Sequence, residues 1–102
     1  MIDRYVFIKL ADPHATQAGR AEVAREAGKL TGIPGVREVR AGAPADAHAE
    51  AAWDVSLCVS FASLEDAESY RAHPVHRAFV DEFLAPRLVV IKAWNMAVDR
   101  AR

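Results

Sequence analysis

Apolar side chains recur along this chain with two different periods. In Tyr5-Val6-Phe7-Ile8-Lys9-Leu10, β-branched and aromatic residues occupy both parities, so the stretch predicts a strand covered on both faces. Asp12-Pro13 marks a turn. Over residues 16–30, Val23, Ala27 and Leu30 fall at i, i+4 and i+7 among Arg, Glu and Lys, the stripe of an amphipathic helix. Thr31-Gly32-Ile33-Pro34-Gly35 stops that helix and turns the chain into a short strand over residues 36–41. Residues 42–52 hold no bulky apolar side chain to anchor them and predict a mobile hairpin loop. Trp53, Val55, Leu57, Val59 and Phe61 then alternate with Asp54, Ser56, Cys58 and Ser60, the period of a strand with one apolar face.

Ser63 can cap the free amides of a helix whose first turn carries Glu65 and Asp66, and that helix runs to Ala72. Pro74 disfavours helical geometry at His73 but suits a first helical position, so a second piece begins there and runs to Leu84. Pro86 closes it, and residues 88–94 form a last strand, again apolar on both faces. The order β-α-β-β-α-β is that of the ferredoxin-like split motif, an α+β fold with both helices on one face of a four-stranded antiparallel sheet. The other face then has no cover from its own chain, although the first and last strands carry bulky apolar residues there. Leaving such a patch in water is unusual, so a second copy is expected to cover it. Two sheets packed about a two-fold axis make a dimeric α/β barrel.

Composition supports that expectation. The chain of 102 residues is 52% hydrophobic by count, but 21 of those residues are alanine, and about 32 large apolar side chains are few for a self-sufficient core of this length. The length suits one domain, 1–102, with no internal repeat or linker. Thirteen Lys+Arg against fourteen Asp+Glu give a net charge of −1, with no basic run to neutralise a row of phosphates or an anionic membrane surface. The longest run of large apolar residues, Leu88 to Ile91, is far short of the ~20 that a spanning helix needs. Cys58 is the lone cysteine and fits a reducing compartment; together with the absence of a signal-like leader it predicts a cytoplasmic protein.

The informative segment for chemistry is Tyr70-Arg71-Ala72-His73-Pro74-Val75-His76. With a helix starting at Pro74, His76 shares a face with Phe79, Val80, Phe83 and Leu84. An imidazole there titrates near neutrality and, with the Tyr70 phenol close by, suits general acid–base work in an apolar pocket. The same residue also fits a core histidine satisfied by a backbone carbonyl. His73 and His76 form an H-x-x-H pair, but zinc needs at least three protein ligands and Pro74 turns His73 away, so no metal is expected. No glycine-rich phosphate loop, Ser/His/Asp set or CxxC is present, and no cofactor is expected.

The opening strand Tyr5 to Leu10, the turn Ile33-Pro34-Gly35-Val36 and above all the run from Ser63 through Tyr70-Arg71-Ala72-His73-Pro74-Val75-His76 resemble the stress-responsive dimeric A/B barrel (Dabb) family over nearly the whole chain. The resemblance implies a ferredoxin-like protomer in a two-fold barrel. In one member type, a polyketide cyclase, a histidine at the position of His76 is the base of an aldol condensation and a tyrosine at the position of Tyr70 assists it. That cyclase has further histidines where this chain carries Arg4 and Val55, and its first helix supplies an aromatic residue that this chain lacks. What carries over is a pocket between sheet and helices, with His76 and Tyr70 as catalytic candidates and Arg4, Val55, Phe79 and Phe83 as its lining. The expected ligand is a small hydrophobic molecule, bound or transformed without a cofactor. The alternative is a non-catalytic stress-response or assembly protein in which the same residues are structural.

Overall fold

A computed structural model describes residues 1–99. Strand β1, Ile2–Leu10, is followed by helix α1, Gln17–Ala27, which tightens into a 3-10 turn over Gly28–Gly32. Then come β2, Val36–Gly42; α2, Ala47–Ala52; β3, Val55–Phe61; α3, Leu64–Ala72; α4, Pro74–Ala78; and β4, Leu88–Ala97. Between α4 and β4 the helix widens to π geometry over Phe79–Leu84 and narrows again over Ala85–Arg87. The four strands pair antiparallel in the order β2-β3-β1-β4, so the two central strands are the first and third in sequence, as the ferredoxin-like motif requires.

The period of two in β1 separates the faces. Val6, Ile8 and Leu10 are buried with Val55, Leu57, Val59 and Phe61 of β3 beneath Val23, Ala27 and Leu30 of the first helical segment and Ala67 and Tyr70 of α3. Tyr5, Phe7 and Lys9 point the other way. Cross-strand register sets them beside Trp94, Lys92 and Val90 of β4, and Trp94 and Met96 stand half exposed. The remainder of this outer face is polar: Ser56, Cys58 and Ser60 of β3 lie beside Arg40 and Glu38 of β2. The apolar patch is therefore confined to the β1–β4 half of the open face.

Four features differ from the sequence expectation, each for a physical reason. Strand β1 starts at Ile2 because polar Asp3 and Arg4 find partners across the sheet: Ser60 Oγ donates to Asp3 Oδ1 at 2.7 Å, and Arg4 Nη1 donates to Asn95 Oδ1 at 3.0 Å. The same pairing carries β4 on to Ala97. The stretch expected as a plain loop contains α2, whose N-terminus is capped by the Asp46 carboxylate accepting from the Ala49 amide at 2.9 Å. Alanine's helix propensity builds this turn without any buried anchor. Trp53 ends α2 instead of opening β3, and its ring packs on Phe7. No helix among the described residues is long and apolar enough to cross a membrane.

Candidate functional site

Between the helix-covered face of the sheet and the α3–α4 joint lies a cavity of about 210 Å³. Its floor is Arg4 and Val6 of β1, Leu57 of β3, and Ile91 and Ala93 of β4; its roof is Tyr70, Arg71, His76, Arg77, Phe79, Val80 and Leu84. The joint itself is built by Pro74. In a continuous helix the Arg71 carbonyl would accept from the Val75 amide. Here the chain is extended at His73, and the His73 ring turns back so that its Nδ1 accepts from the Val75 amide at 3.1 Å. The Arg71 carbonyl is released from helical duty and lies 3.0 Å from Nδ1 of His76.

That contact decides the chemistry of the imidazole. A carbonyl only accepts, so Nδ1 carries the proton and donates, which leaves the lone pair on Nε2. Among the described residues Nε2 has no hydrogen-bond partner. Burial lowers the His76 pKa; the Arg71 carbonyl opposes that shift, and the positive charges of Arg4, Arg77 and Arg71 add to it. The side chain is thus a neutral imidazole at pH 7 with its basic nitrogen available. Tyr70 packs against it with ring centroids 4.4 Å apart and meets Phe61 edge-on at 5.0 Å. Burial pushes the Tyr70 phenol up to about 12, with the charge of Arg4 opposing, so it keeps its proton and stands ready to donate. Its hydroxyl makes no hydrogen bond among the described residues and, since no fully buried side-chain oxygen or nitrogen there lacks a partner, it opens onto solvent.

Arg4 completes the floor. Burial lowers its pKa too, and its one side-chain partner is the neutral amide of Asn95. The other two guanidiniums at the cavity are compensated: Arg71 lies 3.5 Å from Glu68, and Arg77 holds both oxygens of Asp81 at 3.0 and 2.8 Å. The arrangement brings a base, a protonated phenol and an uncompensated cation to one apolar cavity.

Of the residues singled out from sequence, His76, Tyr70, Arg4 and Phe79 meet here. Val55 does not: it shares a face with Leu57 but lies one step farther from Arg4, opposite Ile8 in closed core. Phe83 also lies outside. It stacks on Phe79 with centroids 5.9 Å apart and sits 4.1 Å under the Arg87 guanidinium, in a separate surface groove of about 570 Å³ with Glu26 and Lys29. Asn95, Arg71 and Arg77 were not anticipated. An asparagine inside an otherwise apolar strand is the one visible signal for the first, since strands disfavour that residue.

Comparison with known proteins places the fold. The family model of the stress responsive A/B barrel domain matches residues 2–94. Among curated proteins none matches the sequence. Among solved structures, a protein from Arabidopsis thaliana superposes with a TM-score of 0.83 at 16% identity, covering 100% of this chain and 99% of its own. A dimeric ferredoxin-like protein of unknown function from Thermobifida fusca gives 0.79 at 23% identity, over 95% and 90% of the two chains. A hydroxynitrile lyase from Passiflora edulis gives 0.79 at 19%, over 99% and 95%. These likenesses concern the fold.

Proposed function

The chain belongs to the stress-responsive A/B barrel family, and on that premise we propose that it acts as a cytoplasmic homodimer, one domain per protomer, each with a pocket that binds or transforms a small hydrophobic molecule without a cofactor. The observation that carries the reading is the state of His76: a buried, neutral imidazole whose Nδ1–H is engaged by the Arg71 carbonyl and whose Nε2 is unengaged at the cavity wall. In a catalytic cycle Nε2 takes a proton from the ligand, and the Tyr70 hydroxyl donates to the oxygen on which charge develops. The half-exposed Trp94 and Met96 on the open sheet face supply the surface for the second copy. Fold neighbours are named both as enzymes and as proteins of unknown function, so the assignment rests on this chain's own pocket.

The rival reading, a non-catalytic stress-response or assembly protein, draws on the same bond: the His76–Arg71 contact ties α3 to α4, which is a structural duty. Titrating phenol into the protein while following the His76 ring by NMR separates the two. The pocket reading expects the ring signals to shift with phenol, and expects His76→Ala to lose phenol binding while sedimentation still reports a dimer. A ring insensitive to phenol, with His76→Ala chiefly lowering the melting temperature, assigns His76 to structure. A wild-type monomer at micromolar concentration overturns the dimer.

A further inference from the structure

We propose that the ligand of this cavity is a monoanion, an apolar ring carrying one carboxylate, and that Arg4 is the residue that selects it; the inference rests on the pocket reading above and specifies its substrate class. The cavity keeps one positive charge that the protein does not cancel. Arg71 and Arg77 have Glu68 and Asp81, and His76 is neutral. Arg4 has no carboxylate within 4.0 Å among the described residues; Glu68, which acts on it from a distance, is the partner of Arg71.

Asn95 fixes Nη1 without neutralising it, and the other N–H groups of the five-donor fork have no side-chain partner. A planar fork held this way matches a carboxylate in geometry as well as in charge. The contrast with Arg20 is direct: there a guanidinium packed against the sheet has the buried Asp54 carboxylate as partner, at 2.9 Å. At Arg4 the equivalent carboxylate is missing from the protein, and the ligand brings it. Size agrees. A closed apolar cavity of about 150 Å³ accepts benzene, so about 210 Å³ holds such a ring with a carboxylate attached. Val6, Leu57, Phe79 and Leu84 supply apolar walls for the ring.

The test compares benzoate with its neutral isostere benzamide by calorimetry at pH 7.5, on wild type, Arg4→Met and Arg4→Lys, with thermal unfolding recorded for each. Wild type is expected to bind benzoate about tenfold or more tighter than benzamide, the scale of one charge-assisted pair. Arg4→Met is expected to erase the difference, and Arg4→Lys to retain part of it. If Arg4→Met does not fold, the Arg4→Lys and wild-type preferences still decide. Equal binding of the two probes to wild type overturns anion selection and leaves the pocket standing, whereas binding of neither, with no phenol response at His76, removes both. A benzoate preference that survives in Arg4→Met overturns the role of Arg4.

Discussion

Two polar clusters, one buried and one half-buried, sit at opposite ends of β1, and they are built on opposite plans. At the Leu10 end, Asp54 is nearly inaccessible and saturated: its Oδ2 accepts from the Leu10 amide at 2.7 Å, and its Oδ1 accepts from Arg20 Nε and Nη2 at 3.1 and 2.9 Å. Its own amide donates to the Ile8 carbonyl at 2.9 Å. One carboxylate thus joins the end of β1, the entry to β3 and helix α1. At the other end Tyr70 and His76 are buried and Arg4 is half-buried, and each keeps hydrogen-bonding capacity that the described residues do not use. The first cluster closes its hydrogen bonds within the protein; the second leaves donors and a lone pair open on the cavity. The cost of desolvation at Asp54 is offset by internal partners.

Breaking the saturated end is expected to have the largest effect. Asp54→Ala leaves the Arg20 guanidinium and the Leu10 amide without their acceptor, and removal of one partner from a buried pair costs about 3–5 kcal/mol. Denaturant unfolding reads this directly. A loss under about 1 kcal/mol, the value of an exposed ion pair, removes the contrast between the two ends.

A smaller effect comes from pH. Burial lowers the folded His76 pKa below the ordinary value of about 6.5, so as pH falls through that value the unfolded chain takes up a proton that the folded protein resists. The stability contributed by neutral His76 is therefore present above about pH 6.5 and is lost as pH falls towards the folded value. The charged groups facing the ring, Arg4 from β1, Arg71 from α3 and Arg77 from α4, all push the same way. Unfolding free energy measured from pH 8 to 5 should drop less steeply in His76→Phe than in wild type, and parallel curves would refute the assignment. The smallest effect is expected at Tyr70. Tyr70→Phe removes a hydroxyl without a protein partner, so stability should hold within about 0.5 kcal/mol while phenol and benzoate affinities change. A loss above about 1 kcal/mol would mean that the hydroxyl is structural.

The sequence discloses these two clusters unequally. His76 and Tyr70 are legible because they lie six positions apart on either side of the proline break, where periodicity and that break are enough to place them. Arg4 was legible as a position but not as a charge without a counter-ion, because its partner Asn95 lies 91 residues away and only strand pairing brings them together. The Arg20–Asp54 pair crosses 34 residues and two elements, so no local spacing announces it. Val55 was misplaced for the reason that β3 keeps one face along its whole length; period two assigns the face but not how far along it the cavity extends. The sheet topology followed from the β-α-β-β-α-β order, and the uncovered face from first and last strands that are apolar on both sides, whereas α2 escaped because alanine marks neither an apolar stripe nor a solvated one.

The break between α3 and α4 makes the Tyr-x-x-His-Pro-x-His run a single circuit. Proline interrupts the helix, the first histidine occupies the amide so exposed, the vacated carbonyl takes the proton of the second histidine, and the second histidine is left with its lone pair on the cavity side. No member of that chain can be displaced alone. One residue inserted between Pro74 and His76 would swing the imidazole ~100° around the helix axis, away from both Arg71 and Tyr70. Substitution can vary the walls of this cavity freely, but insertion or deletion at the joint would erase the position of a proton, so it is here that length should be least free to drift.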